Sequence, residues 1–125
     1  MYQIEFTIPG LPKTFNALNR KHWSIKAAEA KNWKMLVVFH VGRNKPKAPL
    51  MKAKVTLTRY SCAEIDGDGL TSSFKHVLDG LTLAGVIYDD KMSIIGMPTY
   101  IHEKAKRKDG RISVKVEELL ESEKP

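Results

Sequence analysis

Residues 64–90 read Glu64-Ile65-Asp66-Gly67-Asp68-Gly69-Leu70-Thr71-Ser72-Ser73-Phe74-Lys75-His76-Val77-Leu78-Asp79-Gly80-Leu81-Thr82-Leu83-Ala84-Gly85-Val86-Ile87-Tyr88-Asp89-Asp90. Phe74, Val77, Leu78 and Leu81 recur three or four apart, which predicts a helix over about Leu70–Leu83. Thr71, Lys75 and Asp79 fall one turn apart on another face. Ala84-Gly85 stops the helix, and the short apolar run Val86-Ile87-Tyr88 leads to Asp89-Asp90. A cluster of aspartates therefore stands at each end of one helical spacer, with a lysine on the spacer. Three carboxylates drawn to one point beside a cation suit Mg²⁺ and a phosphate.

Outward from this stretch the chain supplies a frame. Tyr2, Ile4, Phe6 and Ile8 alternate with Gln3, Glu5 and Thr7, which predicts a half-buried strand over residues 2–8. Pro9-Gly10-Leu11-Pro12 ends it. Ser24 can cap a helix to about Val41, with Gly42 as its stop. Its expected inward stripe is Ile25, Ala28, Trp33, Leu36, Val37 and His40, with Lys26, Lys31 and Lys34 mostly outside. His40 on that stripe reads as a satisfied interior or interface histidine rather than a ligand. In residues 52–60, Ala53, Val55 and Leu57 oppose Lys52, Lys54, Thr56 and Thr58, a second strand that delivers the chain to Asp66.

Residues 92–102 read as a third strand, at an edge or bulged because of Gly96 and Pro98. Asp109-Gly110 is a hairpin turn pair, so residues 104–110 read as a basic hairpin loop before a strand through Ile112, Val114 and Val116. The tail from Glu117 to Pro125 either forms a helical turn or frays. The expected fold class is α/β (α+β): one domain over residues 1–125, with one mixed sheet of about four to five strands and two principal helices.

The chain has 125 residues and a formal net charge of +7, with pI near 9.5. Such excess positive charge suits a polyanion, nucleic acid being the commonest, or simply a solvated basic surface. No apolar run approaches the roughly 20 residues of a membrane span, and no signal peptide is visible. The one cysteine, Cys62, reads as a small buried or half-buried strand residue and fits a reducing cytoplasm. Lys13–Trp23 lacks periodicity. It interleaves Asn16, Asn19, Arg20 and Lys21 with Phe15 and Trp23. Two readings stand open: a loop that grips phosphates and stacks on bases, or a polar connector anchored by its aromatics. Lys104, Lys106, Arg107 and Lys108 form a second candidate DNA-binding segment.

Asp66 and Asp68 are two apart, so on extended chain they point the same way and can share a metal ion. Gly67 and Gly69 clear side chains from the path of a phosphodiester backbone. The competing role for Asp68 is a helix cap. A calcium EF-hand is disfavoured: with Gly69 at the glycine position, Glu64 falls first and Lys75 falls where the loop requires a glutamate. Asp89 and Asp90 are adjacent and face opposite ways on extended chain, so one of them reaches the site. The other is free to orient a ligand, cap a turn or bond backbone amides. Lys75 can hold a phosphate or offset transition-state charge; its competing role is an ion pair with Asp79.

The pattern Asp66-x-Asp68-Gly-Leu, then Lys75, then Leu78-Asp79-Gly80-Leu81, then Ala84-Gly85-Val86-Ile87-x-Asp89-Asp90 resembles the RusA family of phage and prophage endonucleases. The resemblance is strongest over Asp66–Asp90 and looser over the opening strand and proline-rich turn and over the last hairpin. It implies a RusA-like fold and a homodimer that resolves Holliday junctions by symmetric paired nicks, in DNA recombination and repair. It also implies Mg²⁺ (Mn²⁺ as a substitute) held by Asp66, Asp68 and Asp90, assisted by Lys75 as a catalytic residue. Gly69 stands where the family commonly carries Asn, and Lys75 lies three residues later than in the prototype. Two other functions stay open on the same residues: a non-catalytic DNA-binding protein, and a nuclease for other branched or flapped DNA.

Overall fold

Alternation builds the sheet. The computed structural model describes residues 1–19 and 21–124, the side chains of Phe15 and Asn16 excepted. Strands β1 (Gln3–Pro9), β2 (Ala53–Ser61), β3 (Thr99–Lys104) and β4 (Arg111–Glu118) form one sheet in the order β1-β4-β2-β3. β4 runs antiparallel to β1 and β2, while β2 and β3 are parallel, so the sheet is mixed. The register sets Leu57 opposite Val114 and Ile8 opposite Ile112. Ile8, Ala53, Val55, Leu57, Ile112, Val114 and Val116 are all buried on one face. The other face keeps the polar half of each strand, including Lys54, Thr56, Ser113 and Lys115, as expected of a sheet covered on one side.

Helices α1 (Phe15–Leu18), α2 (Trp23–Val41), α3 (Gly67–Ser73), α4 (Lys75–Leu83) and α5 (Met92–Ile95) complete the fold. Trp33, Val37 and Val41 of α2, with Val77, Leu78 and Leu81 of α4, close the core over the sheet. The architecture is α+β with one four-stranded mixed sheet, which agrees with the expected fold class.

Local corrections are needed in five places. The helix expected over about Leu70–Leu83 starts earlier and is two helices, broken at Phe74 (φ −95°, ψ 1°). The start of the expected third strand is α5, which Gly96 ends at φ 60°; the strand begins only at Thr99. Residues 104–110 are not a hairpin, because β3 and β4 are not neighbours. The segment crosses the end of β2 through a 3₁₀ turn at Arg107–Asp109, and Gly110 has an ordinary φ of −58°. Cys62 is exposed, one residue beyond β2.

The fifth correction concerns α2. His22, not Ser24, caps it: the His22 ring accepts from the Ser24 amide at 3.2 Å. Of the expected stripe, Trp33 and Val37 are buried, Leu36 and His40 are half-buried, and Ile25 and Ala28 are exposed. Lys26 and Lys34 are half-buried rather than outside. His40 is satisfied, with Nδ1 2.8 Å from the Leu36 carbonyl and its ring stacked on Phe6. The cause is that α2 is apolar on two faces, so periodicity defines no single stripe. Its outward face exposes Ile25 (45%), Met35 (50%) and Phe39 (79%).

α2 and α4 meet closely at Gly80. A Cβ on Gly80 would lie 2.8 Å from Val37 Cβ and 3.2 Å from Lys34 Cα. Gly80→Ala is therefore expected to lose about 1–3 kcal/mol to overpacking even though Ala is the better helix former. Gly67→Ala, whose Cβ would meet nothing within 4 Å, should be neutral or stabilising by up to about 1 kcal/mol. Urea unfolding of both variants reads the difference; equal stability would mean the two helices do not touch at Gly80.

Candidate active site

Segment 62–66 leaves the end of β2 and turns into α3. Asp66 is extended (φ −78°, ψ 170°) and caps α3, its Oδ1 accepting from the Gly69 amide at 2.6 Å. The cap is thus Asp66 rather than Asp68, because α3 begins at Gly67. A Cβ on residue 69 would lie 2.9 Å from that same oxygen. Glycine there lets the carboxylate close over the amide. Asp68 sits in the first turn of α3, exposed, with no hydrogen-bond or ion-pair partner among the described residues.

Asp68 opens on a cavity of about 310 Å³ walled also by Thr71, Ser72, Lys75, Leu78 and Tyr100. Lys75 is the first residue of α4. Its Nζ donates to Asp79 Oδ1 at 3.1 Å and to Asp90 Oδ2 at 3.2 Å. The pair with Asp79 and the approach to Asp90 are therefore both real, and one ammonium bridges the two carboxylates. Partial burial pushes the Lys75 pKa down, but the bonds and charges of Asp79 and Asp90 outweigh this and hold it above its ordinary value. Lys75 is fully cationic at neutral pH.

The adjacent aspartates divide their work. Asp90 faces Lys75. Asp89 Oδ1 accepts from the Asp90 amide at 2.7 Å, and its Oδ2 lies 3.7 Å from Lys91 Nζ. The bond from the Asp90 amide holds the Asp89 carboxyl below its ordinary pKa. Asp89 thus fixes the turn that presents Asp90.

Tyr100 is a site residue that no motif reveals; only its place in the alternation of β3 hints at an inward side chain. Burial raises its pKa, and Asp90 raises it further against the opposing charge of Lys75. Its hydroxyl stays protonated at the cavity wall.

The three aspartates are not gathered at one point. No three His, Cys, Asp or Glu side chains among the described residues stand close enough to hold a metal ion. Asp66 is engaged with an amide and Asp90 with an ammonium. The donor chemistry still suits a hard cation: Asp66, Asp68 and Asp90 offer carboxylate oxygens only, and both Asp66 and Asp68 are exposed.

The candidate DNA contacts fall in two places. Lys104, Lys106, Arg107 and Lys108 are exposed where the chain crosses the end of β2, the end from which Asp66 is delivered; the Ala105 amide bonds the Ser61 carbonyl there. Asn19 and Lys21 are exposed beyond α1, which packs beside α3. Arg20 and the side chain of Asn16 lie outside the described residues. Among the described residues, no helix is long and apolar enough to cross a membrane.

No protein-family model matches the chain, and no curated protein matches it closely enough to assign a relative.

The two aspartates of the turn should separate in stability measurements. Asp66→Ala removes the cap of α3 and should cost about 1 kcal/mol, whereas Asp66→Asn keeps a capping oxygen and should cost little. Asp68→Ala, which breaks no bond, should be nearly neutral. Thermal unfolding of the three variants checks this order, and an Asp66→Ala protein as stable as wild type would remove the cap from the account.

Proposed function

We propose that the chain is a metal-dependent endonuclease that resolves four-way DNA junctions as a homodimer. One observation carries the reading. Lys75 joins Asp90 to a cavity that Asp68 also lines, so a paired cation and a carboxylate with no partner among the described residues share one exposed surface. The net charge of +7 and the basic crossing at residues 104–108 suit a nucleic-acid partner.

In this reading Asp66, Asp68 and Asp90 would hold Mg²⁺ or Mn²⁺. A divalent cation there would supply Lewis acidity, easing deprotonation of water and offsetting charge on phosphate oxygens. Lys75 moves from Asp90 to an oxygen of the scissile phosphate, where it offsets developing charge. Tyr100 donates its hydroxyl to the same group from the cavity wall. Asp79 keeps Lys75 on the correct side of α4 throughout. Lys104, Lys106, Arg107 and Lys108 follow neighbouring phosphates, with Asn16, Asn19, Arg20 and Lys21 on a second stretch, so affinity falls steeply with salt. A second reading, junction binding without cleavage, is favoured by the ungathered carboxylates.

Cleavage of a synthetic four-way junction decides between them, with linear and flapped duplexes as comparisons. Paired nicks that need Mg²⁺ and fall at least about 100-fold in Asp66→Asn and in Asp90→Asn are the expected result. Tight, metal-insensitive binding with no nicks would establish the second reading, and preference for flapped DNA would change the substrate.

Paired nicks need two sites, which a two-fold dimer supplies. The outward face of α2 suits a second copy of the chain. Ile25, Ala28, Asn32, Met35, Leu36 and Phe39 carry no charge, although the chain is 28% charged. Paired antiparallel about a two-fold axis at Asn32, Ile25 meets Phe39 of the other copy and Ala28 meets Leu36. Phe39→Glu is expected to convert a sedimenting dimer to a monomer without unfolding it, since Phe39 is 79% exposed; a variant that stays dimeric would rule this face out.

A further inference from the structure

A second cavity, of about 320 Å³, lies at the end of β2, among Leu11, Thr14, Arg59, Glu64, Ile65 and Arg107. We infer that this cavity is a phosphate subsite in which Arg59 and Arg107 are the cations. The inference deepens the nuclease reading and rests on it for DNA as the source of the phosphate.

Ala53, Val55 and Leu57 point into the core, and Arg59 continues that phase; the register pairs it with Ile112, a fully buried residue. An arginine at the rim of an apolar face is costly unless its charge is met. Arg59 has no ion-pair partner among the described residues. Its side chain's one hydrogen bond among the described residues runs from Nη1 to the Pro12 carbonyl at 2.6 Å. Its Nε is buried and unpartnered. Loss of solvent lowers its pKa without a carboxylate to restore it. A guanidinium in this state lacks an anion; with Nη1 on the Pro12 carbonyl and Nε buried, Nη2 is the donor left for a phosphate in the cavity.

Arg107 brings a second guanidinium to the same cavity from the 3₁₀ turn. Glu64 also lines the space, but it is exposed and pairs with neither arginine. Ile65 forms part of the wall, one residue before Asp66. A strand crossing the candidate active site would thus lay an adjoining phosphate against this cavity. The plainer role for Arg59 is a strut that ties Pro12 to the sheet; such a strut predicts no response to anions.

The test uses the whole chain without metal, so cleavage is not needed. The Nε–Hε resonances of arginine are followed by NMR while inorganic phosphate is added, against chloride at matched ionic strength. The Arg59 signal, identified by its loss in Arg59→Lys, should shift saturably with phosphate and not with chloride. Arg107→Gln should weaken phosphate binding several-fold. With junction DNA, Arg107→Gln should also reduce the slope of log K against log salt by about one. Arg107 is exposed, so this variant remains informative if Arg59→Lys does not fold. Saturation by inorganic phosphate with no response to DNA would support the phosphate site and sink the nuclease reading as its source. No saturable shift with either would overturn the inference and leave Arg59 a strut.

Discussion

The site depends on the burial of Phe74. This side chain is fully enclosed at the point where α3 ends and α4 begins. An aromatic of this size contributes about 1.5–3 kcal/mol when taken from water, more than the helical hydrogen bonds lost at the break are worth one by one. Sinking Phe74 therefore decides the chain direction, and its ring lies against Tyr100 at 6.1 Å. With α4 re-aimed, Lys75 becomes its first residue and reaches Asp90. One apolar anchor thus sets the relation of all the polar groups around it.

Those polar groups show what an acidic pair does in its resting state. Asp79 and Asp90 come from segments with no local reason to meet, and like charges repel. The Lys75 ammonium sits between them at nearly equal distances. The bridge is exposed enough that it adds little to stability; its effect is to position charge. Lys75 holds Asp90 at the edge of α4, and Asp89, through the amide of Asp90, holds the turn on which this depends.

The sequence makes some of this visible and hides the rest for definite reasons. β1 and β4 alternate throughout and β2 does so as far as Leu57, with the apolar side of each turned to the core, so the pattern is legible there. α5 is four residues long, too short for a period, and Met92–Ile95 reads equally well as a strand. Phe74 keeps helical spacing with Val77 and Leu78, so the pattern passes through the break between α3 and α4 unmarked. Strand order is a long-range property, and the Asp109-Gly110 pair points to a hairpin that only a different order would allow. The i,i+4 spacing of Lys75 and Asp79 is legible, but the arrival of Asp90 is tertiary. Arg59 leaves a clear trace: a charge at the fourth place of an apolar phase that runs through Ala53, Val55 and Leu57.

The ungathered carboxylates are compatible with a cation site, and magnitudes say why. Gathering them asks Asp66 to release the Gly69 amide and Lys75 to leave Asp90. A helix cap is worth about 1 kcal/mol, and an exposed ion pair less than about 1 kcal/mol. These two terms come to about 2 kcal/mol, which a ligand present at roughly 30 times its Kd offsets. Gly69 keeps the first of these restraints in place, since a side chain there would crowd the Asp66 oxygen now bound to the amide. Asn at this position would push that carboxylate off its cap. Glycine instead gives a turn that is capped at rest, so Asp66 must exchange a backbone partner for any ligand it comes to hold.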